Sequence, residues 1–182
     1  MLCGITSTKH HEDGSNPVYL NVYDLTSING YAYWLGLGVY HSGLQVHGLE
    51  YAFGSHERTT TGICEGEPKQ CDGFRFRKQI LIGWTEMNKK EVRKVIEELA
   101  DEYKGISYNL ITKNCNHFCN DVCVRLTGNT IPRWVNRLAR IGNYHSLDKN
   151  SQFKKSVIIT SASFILTICS NVCFCSDFRF AV

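Results

Sequence analysis

Apolar and polar positions alternate from Val18 to Asp24, with Val18, Leu20 and Val22 on one side and Tyr19, Asn21 and Tyr23 on the other. A period of two predicts a strand with one face buried. Leu37 to Val46 reads as a second strand, His47-Gly48 as a turn, and Leu49 to Phe53 as a third strand. Phe74 to Trp84 is a further strand, its Ile80-Leu81-Ile82 run continuous as in strands covered on both faces. Between these, Leu25 to Gly36 holds Tyr31, Tyr33 and Trp34 and reads as a short helix or an aromatic-rich loop. Gly54 to Cys64 is a polar loop that ends in a short apolar patch.

The second half changes period. After Asn88, residues Val92, Val95, Ile96, Leu99, Ala100 and Tyr103 repeat at helical spacing, with Gly105 as the expected stop. The opposite face, Lys89, Lys90, Arg93, Lys94, Glu97, Glu98 and Asp101, carries the i,i+4 charge pairs of a solvated surface. Gly105 to Thr112 breaks the pattern and reads as loop or short strand. Phe118, Val122, Cys123 and Leu126 then mark a helix that ends near Gly128, with Asn114 as its N-cap. Pro132 predicts one more helix over Arg133 to Ile141, with Trp134, Leu138 and Ile141 on one side. Strands first and helices second is an α+β layout. No internal repeat is visible.

With 182 residues and 43% hydrophobic content, the chain can bury the core of one domain. Residues 1–15 are polar, lack an apolar core of signal-peptide length, and read as a disordered leader. Residues 16–142 form the candidate domain, and 143–182 a divergent tail. Ser156 to Ser176 carries no charge and reaches the ~20 residues needed to span a bilayer. Ser, Thr and Asn dilute it, so a disordered or marginally membrane-associated tail is expected, with Cys169, Cys173 and Cys175 as palmitate acceptors if it meets a membrane. A net charge of +3, with no Lys/Arg run longer than two, argues against nucleic acid as the main partner. Nine cysteines at irregular spacing, an odd number, point to free thiols in a reducing cytosolic or nuclear setting.

The chemistry concentrates at Cys115. Behind an Asn114 cap it sits in the first turn of a helix, where unpaired amides and the positive end of the dipole stabilise a thiolate. Such a nucleophile needs a base within hydrogen-bond reach, usually histidine. His117 is two residues away on the same helix, about 200° around it, and serves better as a capping or supporting group. That leaves His41 on a strand, His47 at a turn, His56 in a loop, His145 and the leader pair His10 and His11, with His41 on the most rigid support of the first three. Zinc is the rival for a Cys-rich chain. Cys115, Cys119 and Cys123 do follow one helix side, but the core lacks the close C-x-x-C pairs of structural zinc sites. Cys119 and Cys123 read instead as small core residues. No metal or cofactor is called for.

The segments VYLNVYDLT, GLGVYHSGLQVHGLEYAFG, FRKQILIG, ITKNCNHFCND and IPRWVNRLAR resemble the PPPDE family of DeSI-like (desumoylating-isopeptidase-like) thiol proteases, most closely its plant members. The resemblance runs from about Asn16 to Gly142, in the family's order. It implies a papain-like cysteine peptidase fold in circularly permuted order, an antiparallel sheet or barrel packed on helices. The family's catalytic histidine lies in H-S-G, here His41, and its catalytic cysteine in N-C-N-H-F, here Cys115. It further implies cleavage of SUMO or ubiquitin from lysine side chains, and thioester hydrolysis in some relatives. Trp34, Asn114 and Asn116 are the candidate substrate-binding residues; Trp34, Tyr31 and Tyr33 read either as walls of a channel or, in preference, as plain core aromatics. The segment from Gly54 to Gly66 reads either as a lid facing substrate or as plain connection. A thioesterase with the same dyad, and a non-catalytic module that grips ubiquitin-like proteins, are the alternative functions. A homodimer is left open.

Overall fold

A computed structural model of the chain describes residues 14–25, 38–71, 73–137, 139–140 and 179–180. Five antiparallel strands carry the fold: β1 (Asn16–Asp24), β2 (Tyr40–Val46), β3 (Leu49–Phe53), β4 (Ile63–Gly66) and β5 (Arg75–Thr85). The pair Arg179–Phe180 adds a short strand, β6, against β4. The sheet runs β5-β1-β2-β3-β4-β6, an open order with β5 and β6 at the edges. Two helices follow, α1 (Lys89–Ala100) and α2 (Cys115–Thr127).

Alternation correctly marks the buried face of β1. Val18, Leu20 and Val22 are fully buried and join Leu44, Val46, Phe53 and Ile63 beneath Phe118, Val122 and Leu126 of α2. α2 lies against β1, β2, β3 and β5, and α1 closes the core with Val92, Ile96 and Leu99. The opposite face of β1 departs from a solvated surface. Asn21, Tyr23 and Glu50 are buried there in one polar network. Glu50 accepts from the Tyr23 hydroxyl at 2.7 Å, from Asn21 Nδ2 and from the Lys69 amide at 2.9 Å. Gly43 makes room for that carboxylate, since a Cβ there would collide with Glu50 Oε1.

The β2–β3 turn is the two-residue hairpin expected of His47-Gly48, both at positive φ (49° and 75°). Several boundaries differ from the sequence expectation. β2 starts at Tyr40, not Leu37, and β4 replaces the end of a segment read as loop. Four residues are too few for an alternation signal, and pairing with β3 supplies what local pattern cannot. α1 stops at Ala100 rather than Gly105. Tyr103 still packs in the core, but its carbonyl accepts from Gly62 and the Gly105 amide donates to Thr60, so tertiary bonds take over from the helix. Gly105–Ser107 forms a 3-10 turn. After Pro132, residues 133–136 form a turn, and helical geometry is assigned at residues 137 and 139–140; Ile141 lies outside the described residues.

The leader through residue 13, the aromatic residues Tyr31, Tyr33 and Trp34, and all of 143–182 except Arg179–Phe180 also lie outside the described residues. Among the described residues no helix is long and apolar enough to cross a membrane.

Candidate active site

Local chemistry sets the start of α2. Asn109 Oδ1 accepts from the amides of Ile111 and Thr112, and Asn109 and Lys113 exchange both backbone bonds. That closed turn delivers Asn114 in extended geometry (φ −113°, ψ −179°), as an N-cap requires. Its side-chain oxygen accepts from the amides of Asn116 and His117, and His117 Nδ1 accepts from the Asn114 amide at 3.0 Å. His117 therefore completes a capping box in the place usually held by Glu or Gln. Cys115 is the first residue of the helix and is 2% exposed.

His41 lies on β2 directly opposite Tyr23 of β1. Its ring stacks on Phe74, with centroids 5.1 Å apart and planes at 24°, and is 5% exposed. Burial lowers its pKa from the ordinary 6.5 to about 4. At neutral pH the imidazole is uncharged and able to accept a proton. Burial also lowers the pKa of His117, with Asp121 opposing.

Cys115 and His41 border one cleft, with Leu25, Val39, Tyr108 and Val135 among its other walls. Asn116 couples the two supports. Its Oδ1 accepts from Ser42 Oγ at 2.7 Å and its Nδ2 donates to the Tyr40 carbonyl at 3.1 Å. Those partners flank His41 on each side, so the residue after the thiol grips the strand around the imidazole. Cys119 Sγ adds a bond to the Ser42 carbonyl one turn along the helix.

Among the described residues the competing histidines are engaged elsewhere, while His10, His11 and His145 lie outside them. His47 Nε2 is 2.8 Å from the Met87 carbonyl, and His56 Nε2 2.9 Å from that of Thr61. Neither borders the cleft. Burial pushes the thiols of Cys119 and Cys123 up, the latter to about 12, which opposes the thiolate a metal would need. Asn114 and Asn116 do border the cleft, yet each spends its amide on the protein itself: Asn114 Nδ2 donates to Leu110 and to Asn136 Oδ1. Trp34, expected beside them, lies outside the described residues. The Gly54–Gly66 segment contributes nothing to the cleft's described lining, and is tied to the turn after α1 through Gly62 and Thr60.

One neighbour of the thiol was not foreseen. The Tyr108 hydroxyl lies 3.9 Å from Cys115 Sγ. The stretch read as loop or short strand gave no periodic signal for it. The only local sign is the Asn109 turn that folds the chain back toward Asn114.

Comparison with known proteins adds to this geometry. The PPPDE peptidase domain matches residues 16–153. A DeSI-like protein of Arabidopsis thaliana is 48% identical over 152 residues, covering 84% of this chain and 66% of the relative. A desumoylating isopeptidase 1 homolog of Caenorhabditis elegans is 41% identical, covering 72% of this chain and 41% of the relative. Desumoylating isopeptidase 1 of Homo sapiens is 31% identical, covering 67% and 74%. The chain spans just under two thirds of the Arabidopsis relative and less than half of the worm one.

Proposed function

The chain belongs to the PPPDE peptidase family, and from that premise we propose that it is a thiol isopeptidase. It cleaves SUMO or ubiquitin from lysine side chains with Cys115 as nucleophile and His41 as base. The observation that carries this reading is the shared cleft, bordered by a thiol at a capped helix start and by a neutral, rigidly stacked imidazole. Relatives named desumoylating isopeptidase 1 support SUMO conjugates as the substrate class.

His41 takes the Cys115 proton as sulfur adds to the carbonyl of a Gly–Lys isopeptide bond. The C–N bond then breaks, the lysine amine leaves with the proton from His41, and a thioacyl-enzyme remains. Water attacks with His41 again as base, which regenerates the thiol and frees the modifier's carboxylate. The backbone amide of Cys115 is an oxyanion donor; those of Asn116 and His117 serve the Asn114 cap. The histidine strand precedes the cysteine helix in the chain, the order of a circularly permuted papain-like fold. The setting we propose is the cytosol or nucleus, where thiols stay reduced.

The aliphatic walls Leu25, Val39, Leu110 and Val135 favour a second reading, a thioesterase acting on palmitoylated cysteines. SUMO and ubiquitin probes with a C-terminal electrophile separate the two. The isopeptidase reading expects a covalent adduct on Cys115 that is lost in Cys115→Ser. A folded protein that ignores both probes but hydrolyses an acyl thioester turns the assignment to the thioesterase.

A further inference from the structure

We infer that Tyr108 is a catalytic residue, its phenol O–H donating to the oxyanion that forms when Cys115 Sγ adds to the scissile carbonyl. This rests on the acyl-transfer reading above. The hydroxyl lies 3.9 Å from the sulfur and Tyr108 borders the same cleft. A carbonyl carbon approaches a nucleophile to ~3–3.5 Å before reaction, so its oxygen falls within reach of a donor on the cleft side of the sulfur. Oxyanion donors act from ~2.7–3.1 Å, and the hydroxyl beside the thiol is a side-chain donor that the cleft offers near the sulfur.

Several side-chain groups at this spot are committed, which leaves the Cys115 amide and Asn136 Nδ2 as the other donors beside the phenol. Asn114 Oδ1 holds the second and third amides of α2, Asn114 Nδ2 serves Leu110 and Asn136, and Asn116 Nδ2 serves Tyr40. His41 is the base. The phenol is also held in advance of reaction. Tyr108 caps the 3-10 turn through its amide to the Gly105 carbonyl, and its ring packs on Phe53 with centroids 5.1 Å apart. A preorganised donor costs little reorganisation as charge develops.

The electron pair and proton stay accounted for. The S–C bond forms, the π pair moves to oxygen, and Tyr108 keeps its proton while bonding to that oxygen. When the pair returns, the C–N bond breaks and the leaving amine takes the proton held by His41.

The test compares wild type with Tyr108→Phe, which keeps the ring on Phe53, on fluorogenic C-terminal amides of SUMO and ubiquitin. Alkylation of Cys115 by iodoacetamide, which forms no oxyanion, is measured in parallel. Loss of one such donor costs ~10²–10³-fold in kcat. The expected result is a fall of that order with KM little changed and the alkylation rate and its pH profile kept. Turnover within ~2-fold of wild type overturns the assignment, as would alkylation slowed in proportion, which would make the phenol a partner of the thiol instead. A large loss in Asn136→Asp with none in Tyr108→Phe would give the role to that amide. Wild type that cleaves neither amide defeats the isopeptidase reading, and this one falls with it; only an active wild type matched by Tyr108→Phe defeats the phenol alone.

Discussion

The buried imidazole makes stability depend on pH in a way that one substitution can isolate. Folding favours the neutral ring of His41, whose pKa falls from 6.5 to about 4 through burial. As pH drops, the unfolded chain therefore binds this proton first. Stability from this group is present above the unfolded value, is lost between about pH 6.5 and 4, and changes no further below that. At ~1.4 kcal/mol per pKa unit the whole effect is about 3 kcal/mol, of which about 2 kcal/mol is lost between pH ~7.5 and ~5. In urea, with a slope of ~1–3 kcal/mol/M, that corresponds to a midpoint lowered by about 1 M. The perturbation is His41→Gln, and the assay is urea unfolding of both proteins at the two pH values. Glu50, whose pKa burial raises, and His117 titrate in both proteins and cancel in the difference. The expected outcome is that wild type loses about 2 kcal/mol more than His41→Gln on acidification. Parallel losses would refute a buried neutral imidazole at this position.

Further outcomes follow from the supports around Cys115 and His41. Asn116→Ala removes the bonds to Ser42 Oγ and the Tyr40 carbonyl and should cost about 2–3 kcal/mol by urea unfolding. Its kcat should fall beyond what the lost stability explains, because β2 is released around His41. Asn114→Ala removes the α2 cap at about 1 kcal/mol and should slow alkylation of Cys115. Gly43→Ala should destabilise by ~1–3 kcal/mol, seen as a lower Tm, because Tyr23, Asn21 and the Lys69 amide pin the Glu50 carboxylate that the new Cβ would strike.

What could be read from residue order depended on how local the determining interactions are. Asn88 with Glu91, and Asn114 before the Phe118–Leu126 stripe, announce helix starts because caps are satisfied within one turn. The ends are harder. Tyr103 continues the apolar period of α1, yet bonds from Gly62 and to Thr60, far away in sequence, redirect the chain there. The polar side of β1 reads as solvated, and only the fold brings Glu50, Lys69 and Gln79 over it. The choice among His41, His47 and His56 is likewise tertiary. Nothing near His47 or His56 in sequence says that Met87 or Thr61 will occupy its ring. Tyr108 stayed hidden because its value comes from the sulfur beside it, not from any pattern it belongs to.

The central claim is that Cys115 and His41 together hydrolyse an isopeptide bond. Its most direct test is cleavage of a SUMO or ubiquitin conjugate on a lysine side chain by wild type, Cys115→Ser and His41→Ala, each first shown to melt cooperatively. The account predicts release of the intact modifier with a free C-terminal carboxylate by wild type, a thioacyl adduct on Cys115 under rapid quench, and loss of at least ~10³-fold in both variants. Cleavage that survives in folded Cys115→Ser, or a wild type inert to isopeptides while it turns over thioesters, would contradict it.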